Sequence, residues 1–187
     1  TIKNGLKERG RYLMTKLKFL YFMDYEDGKI ARVETNDDEG MEIPFNIFID
    51  NADECTNAKE GPCIIDICGV GSDIRIFSSE EDYCKDEENK MAPISMIPMG
   101  TFPANNEWEY FEQSPYILFA GRILDVEWNP SAKSDEPNCG IVVETLGFTF
   151  NLYLRYDETV KVGSIVHGIA WVFGDMVMCG DKSQKQL

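Results

Sequence analysis

The sequence predicts a mainly β protein: two tandem antiparallel β units descended from an internal duplication, with one or two short helices. Three observations carry this. Apolar and polar residues alternate with the period of a strand along much of the chain, as in Ile30-Ala31-Arg32-Val33-Glu34-Thr35. Turn signals fall between such runs at short intervals, among them Asp27-Gly28 and Leu146-Gly147. Short motifs also recur in the same order in both halves. Val33-Glu34-Thr35 returns as Val143-Glu144-Thr145, and Phe45-Asn46-Ile47-Phe48-Ile49 as Phe150-Asn151-Leu152-Tyr153-Leu154. Residues 61–74 lie on 163–176 without a gap, which sets Ile67 on Ile169, Val70 on Val172 and Asp73 on Asp175. With 43% hydrophobic and 12% aromatic residues, the 187-residue chain has enough apolar mass for a packed core, and that excludes intrinsic disorder.

The elements follow in order. Residues 1–15 read as a basic N-terminal extension. Met14 opens Met14-Thr15-Lys16-Leu17-Lys18 in the manner of a natural start, so residues 1–13 are expected to be dispensable. The first β unit spans 16–78. In it, 16–25 is rich in aromatic and β-forming residues and pairs with 29–35 as a hairpin about Asp27-Gly28. An acidic turn, 36–40, leads to a strand over 41–49, where Pro44 marks an edge or bulge. Residues 62–69 and 73–77 form two short strands or one kinked strand, broken at Gly69-Val70-Gly71.

Residues 79–115 form an acidic helix or loop and a Pro-rich connector. Ser79, with Asp82 three residues later, fits the start of a helix, and 80–90 is polar nearly all round. Residues 91–103 hold three prolines and read as extended, and 105–113 reads as a short helix that ends before Pro115. The second β unit spans 116–180. It comprises a long strand over 116–128 kinked at Gly121, a loop over 129–138, strands over 139–145 and 148–156, and a final β segment over 160–178. Residues 181–187 are a tail.

The second unit resembles an OB-fold-like small β-barrel. The likeness rests on a long first strand bent at Gly121, a hairpin over 140–156, and the run Val160-Lys161-Val162-Gly163-Ser164-Ile165-Val166-His167-Gly168. Glycines at bends are what a five-stranded barrel needs to close. The resemblance implies a fold and leaves the activity open. It also carries an alternative function: an OB-type protein that binds single-stranded nucleic acid or a saccharide by stacking on Phe148, Phe150, Tyr153, Tyr156, Trp171 and Phe173.

Charge narrows the choice of partner. The chain holds 33 Asp+Glu against 18 Lys+Arg, a net charge of −15, and residues 24–90 alone carry 20 acids and 6 bases. The basic patch is at the start, in Lys3, Lys7, Arg9, Arg11, Lys16 and Lys18. Such a chain repels nucleic-acid backbones and anionic membranes and attracts basic surfaces. The apolar stretch from Leu17 to Met23 is interrupted by Lys18 and far short of the roughly 20 residues of a membrane span. Asp24, Glu26 and Asp27 follow it with no small-residue cleavage site. Six cysteines without a Cys-x-x-Cys pair, and a single histidine, His167, lack zinc-site spacing and read as reduced thiols. A cytoplasmic protein is expected.

No catalytic signature accompanies the charge. Ser164 and His167 stand three apart in a strand and so face opposite sides. Gly69-Val70-Gly71-Ser72 lacks the Lys-Ser/Thr of a phosphate loop, and 36–40 lacks EF-hand spacing. Asp125 with Glu127, or Glu107 with Glu109, leaves a carboxylate-based hydrolase as a further alternative. No catalytic residue, metal or cofactor is expected. The candidate site is an acidic patch: Asp37, Asp38 and Glu39 in one turn, and Glu80, Glu81, Asp82, Asp86, Glu87 and Glu88 in another segment. The expected function is a non-enzymatic acidic protein-binding module. In its concrete form it is an inhibitor, immunity or anti-defence protein (anti-CRISPR-like, mimicking nucleic acid) that blocks the basic channel of a nuclease or other nucleic-acid enzyme.

Overall fold

Nine strands hydrogen-bond into one sheet in the computed structural model, which describes residues 13–35, 42–99, 113–156 and 160–179. Strands β1 (Met14–Tyr25) and β2 (Gly28–Thr35) form the expected hairpin, turning at Glu26 and Asp27. Strand β3 (Pro44–Ile49) starts at Pro44, the strand position that best tolerates a missing N–H. A 3₁₀ turn (Ala52–Cys55) leads to β4 (Gly61–Phe77). This strand runs unbroken through Gly69-Val70-Gly71; its irregularity lies at Asp73, which takes φ 52°. The one described helix, α1 (Glu80–Lys85), comes next. Strand β5 (Ser95–Pro98) lies inside the stretch read as a connector. Strands β6 (Tyr116–Trp128), β7 (Cys139–Thr145) and β8 (Phe148–Leu154) fall close to the expected bounds. Strand β9 (Ile165–Cys179) begins later than expected, because Gly163 turns the chain at φ 88°. The N-terminal extension up to residue 12, most of the 105–113 helix and the 181–187 tail lie outside the described residues. Among the described residues no helix is long and apolar enough to cross a membrane.

The sheet order is β1-β2-β3-β9-β4-β8-β7-β6-β5, with further pairings of β1 to β4 and β9 to β6. Strands β4 and β9 pair antiparallel from Cys63↔Cys179 to Phe77↔Ile165. Each also pairs antiparallel with the first strand of its own half, as in Met14↔Asp66 and Tyr116↔Trp171. Each then runs parallel to the third strand of the other half, at Phe48↔Phe173 and at Val70↔Tyr153. The two long strands thus belong to both halves of the chain.

The pairings repeat between the halves. A bulge lies between Phe19 and Tyr21 in β1 and between Ile123 and Asp125 in β6. Buried threonines, Thr35 and Thr145, end β2 and β7. With Phe48 set on Tyr153, the parallel pairings place Val70 on Phe173, one residue beyond the Val70–Val172 match read from the sequence. A one-residue slip exchanges the two faces of a strand, so this shift decides which side chains point outward.

One contiguous core joins both halves, with Phe45, Ile47, Ile65, Ile67, Phe119, Phe150, Leu152 and Val172 all fully buried. Phe45 stacks on Phe148 at 4.8 Å and 9°. Full burial of a side chain of this size contributes about 1.5–3 kcal/mol. A smaller cluster of Tyr83, Ala120 and Ile165, with Phe77 against it, fastens α1 to the sheet. Of the six thiols, Cys63 and Cys139 are buried, and burial pushes them up to about 12 and about 11; Cys84 is exposed.

Candidate interaction face

The acidic segment is built from α1 outward. Ser79 caps the helix: its hydroxyl accepts the Asp82 N–H at 3.1 Å. The Ser78 hydroxyl donates to the Asp82 carboxylate, and these two serines hold that carboxyl below its ordinary range. Glu80, Glu81 and Asp82 in the first turn suit the positive end of the helix dipole. Tyr83 is 1% exposed; its ring meets Phe77 edge-on at 5.2 Å and His167 at 5.9 Å. Beyond the helix, Asn89 donates through Nδ2 to the Tyr83 carbonyl at 2.8 Å. Arg75 lies over the Phe77 ring at 5.0 Å and holds Asp86 and Glu88. The segment is therefore a short anchored helix and turn.

Three of the six acids of this segment sit on α1 and three on the turn that follows it, and their own chain partly answers them. Glu80 pairs with Arg122 at 3.3 Å, Glu81 with Lys85 at 2.7 Å, and Asp86 and Glu88 with Arg75. Glu81 and Glu88 remain 77% and 82% exposed, so these are surface pairs, each worth at most about 1 kcal/mol and easily exchanged for an incoming cation. Asp37, Asp38 and Glu39 lie outside the described residues, as do four of the six basic residues of the N-terminal patch. The described Lys18 turns to its own chain and pairs with Glu34 at 3.0 Å.

Several other candidates change character. Phe148 and Phe150 are core residues, unavailable for stacking, and Tyr156 packs against that core. Burial pushes the Tyr153 hydroxyl above its ordinary range. Ser164 is buried, while His167 lies across the ladder from Arg75 and against Tyr83. Burial, then Arg75, holds the His167 imidazole below its ordinary range. Among the described residues, the Tyr83 hydroxyl, Asn89 Oδ1 and His167 Nδ1 are buried without a hydrogen-bond partner. No group of three or more acidic, His or Cys side chains among those residues is arranged to hold a metal ion.

At the other end of the same face Trp171 and Phe173, two of the stacking residues expected from the sequence, join Phe48, Tyr25 and Tyr116, which the sequence did not single out. Phe48 lies 5.5 Å from Trp171 and 6.2 Å from Tyr25, centroid to centroid, and Trp171 stacks on Phe173 at 5.2 Å. Tyr116, 42% exposed, pairs across the ladder with Trp171. Gly28 makes room: a Cβ there would stand 2.5 Å from the Phe48 ring. Alternation puts His167, Ile169, Trp171 and Phe173 on one side of β9, with Ala120, Leu118 and Tyr116 opposite the first three on β6. Tyr83 covers Ala120 and His167, so α1 and the aromatic group share this side, four residues or about 13 Å apart along β9.

Comparison of the chain with protein families, with curated proteins and with solved structures gives no match.

Proposed function

We propose that this is a non-enzymatic, acidic protein-binding module whose partner is a basic protein, such as a nuclease or another nucleic-acid enzyme that it inhibits in the cytoplasm. The observation that carries this reading is the anchoring of the acidic segment. Tyr83 plugs it into the sheet and Arg75 grips its far end, so the segment that carries the carboxylates is held on one side of β6 and β9. Carboxylates gathered on an anchored segment steer a basic surface and set its orientation.

The scaffold we propose is a pair of OB-like barrels from one duplicated unit. The circuits β1–β2–β3–β9–β4 and β6–β7–β8–β4–β9, each returning to its first strand, support it. Each unit would lend the end of its long strand to the other.

The test reverses Glu81, Glu87 and Glu88 to Lys, which leaves the Ser79 cap and the Asp86–Arg75 pair in place. Affinity for a basic nuclease should fall and lose most of its salt dependence; unchanged affinity and salt slope would contradict the reading. The exposed Tyr116 favours a second reading, an OB-type binder of single-stranded nucleic acid or saccharide. Retardation of an oligonucleotide at low salt would support it.

A further inference from the structure

We infer that Trp171, Tyr116 and Phe48 form the anchor site for an arginine-bearing segment of a basic protein partner. This rests on the reading of α1 as an acidic, partner-facing element and names a second contact on the same face. Anchors of protein interfaces are aromatic groups with a polar rim, and this group is built that way. Phe48 and Trp171 support one another at 5.5 Å, Phe173 backs Trp171, and Tyr116 stands 42% exposed beside it.

The rim chooses the partner. At the Tyr25 end lie Asp24, Glu26 and Asp27 of the hairpin tip, all exposed, with Glu26 held at φ 45°. At the other end lies the acidic segment of α1. The neighbouring cations are engaged by their own chain: Lys29 with Asp24, Arg32 with Asn46, Arg75 with Asp86 and Glu88, and Arg122 with Glu80. A surface of rings between carboxylates fits a guanidinium, which stacks on an aromatic face while its N–H fork meets acids. An ammonium fits it less well, and a phosphate backbone is repelled.

The experiment uses fluorescein-labelled oligoarginine and oligolysine of equal length, read by anisotropy at low and high salt with the full chain. The wild type should prefer oligoarginine. Tyr116→Ser and Trp171→Leu should each weaken oligoarginine binding by about fivefold, bring it toward the oligolysine value, and leave the salt slope unchanged. Tyr116→Ser keeps the test valid if Trp171→Leu proves unstable, because Tyr116 lies outside the core clusters. Aromatic variants that bind both peptides as the wild type does would overturn the anchor while leaving the α1 reading intact. Lys replacements at Glu81, Glu87 and Glu88 that change nothing would overturn the α1 reading alone. An oligothymidylate that binds more tightly than oligoarginine, and is lost with Trp171→Leu, would overturn the choice of a protein partner.

Discussion

His167 stands opposite Arg75 across the β4–β9 ladder, its ring 5.9 Å from that of the buried Tyr83. Burial at this place and the Arg75 charge both disfavour an imidazolium. Burial and Arg75 hold the imidazole below its ordinary value of 6.5, so the unfolded chain takes up a proton before the folded one does. Stability is therefore full above about pH 6.5 and falls as pH drops, until folded His167 is itself protonated. Thermal melts between pH 7.5 and pH 5 should show the decline, and His167→Gln should reduce it. The depressed Asp82 carboxyl contributes in a separate window below its ordinary 3.8, which keeps the two effects apart.

Tyr83 should be the residue on which α1 depends. Truncation to Ala empties its place between Phe77, Ala120, Ile165 and His167 and should cost about 3–5 kcal/mol in urea denaturation. Tyr83→Phe should be neutral or stabilising by up to about 1 kcal/mol, because it removes a buried hydroxyl without a partner among the described residues. A large loss with Phe would mean that the hydroxyl is bonded.

Two glycines should respond differently to alanine. At Gly121 a Cβ would meet Val143 Cγ1 at 2.5 Å and the Glu144 carbonyl at 2.6 Å, backbone that cannot swing aside. Gly121→Ala should cost about 3 kcal/mol or more. At Gly163 the space is open and only φ 88° resists, so Gly163→Ala should cost about 1 kcal/mol. Denaturant midpoints of the two variants should rank in that order.

Local pattern reached the hairpins and the helix cap, because alternation and capping act within a few residues. The turn signal Leu146-Gly147 marks the hairpin of β7 and β8, and Ser79 caps the helix that its spacing to Asp82 indicated. Pairing between distant segments leaves no such trace. Nothing near Phe48 announces its parallel neighbour Phe173, and nothing near Val70 announces Tyr153. Similar valines at 70 and 172 therefore aligned one residue off. The acids of 80–88 were legible as composition, but not their pairing with Arg75, Lys85 and Arg122. The aromatic group draws Tyr25, Phe48, Tyr116 and Trp171 from four strands, so no stretch of sequence displays it.

A chain that meets a basic partner through one side of β6 and β9 should reveal that side in an amide- and indole-resolved NMR titration with oligoarginine. Perturbations are expected at the Trp171 indole, at Tyr116 and along residues 80–88. Trp128, 41% exposed at the far end of β6, provides the internal control and should stay unperturbed. Equal shifts at Trp128 and Trp171, or shifts that avoid residues 80–88, would contradict a dedicated face and leave the acidity as a general property of the surface.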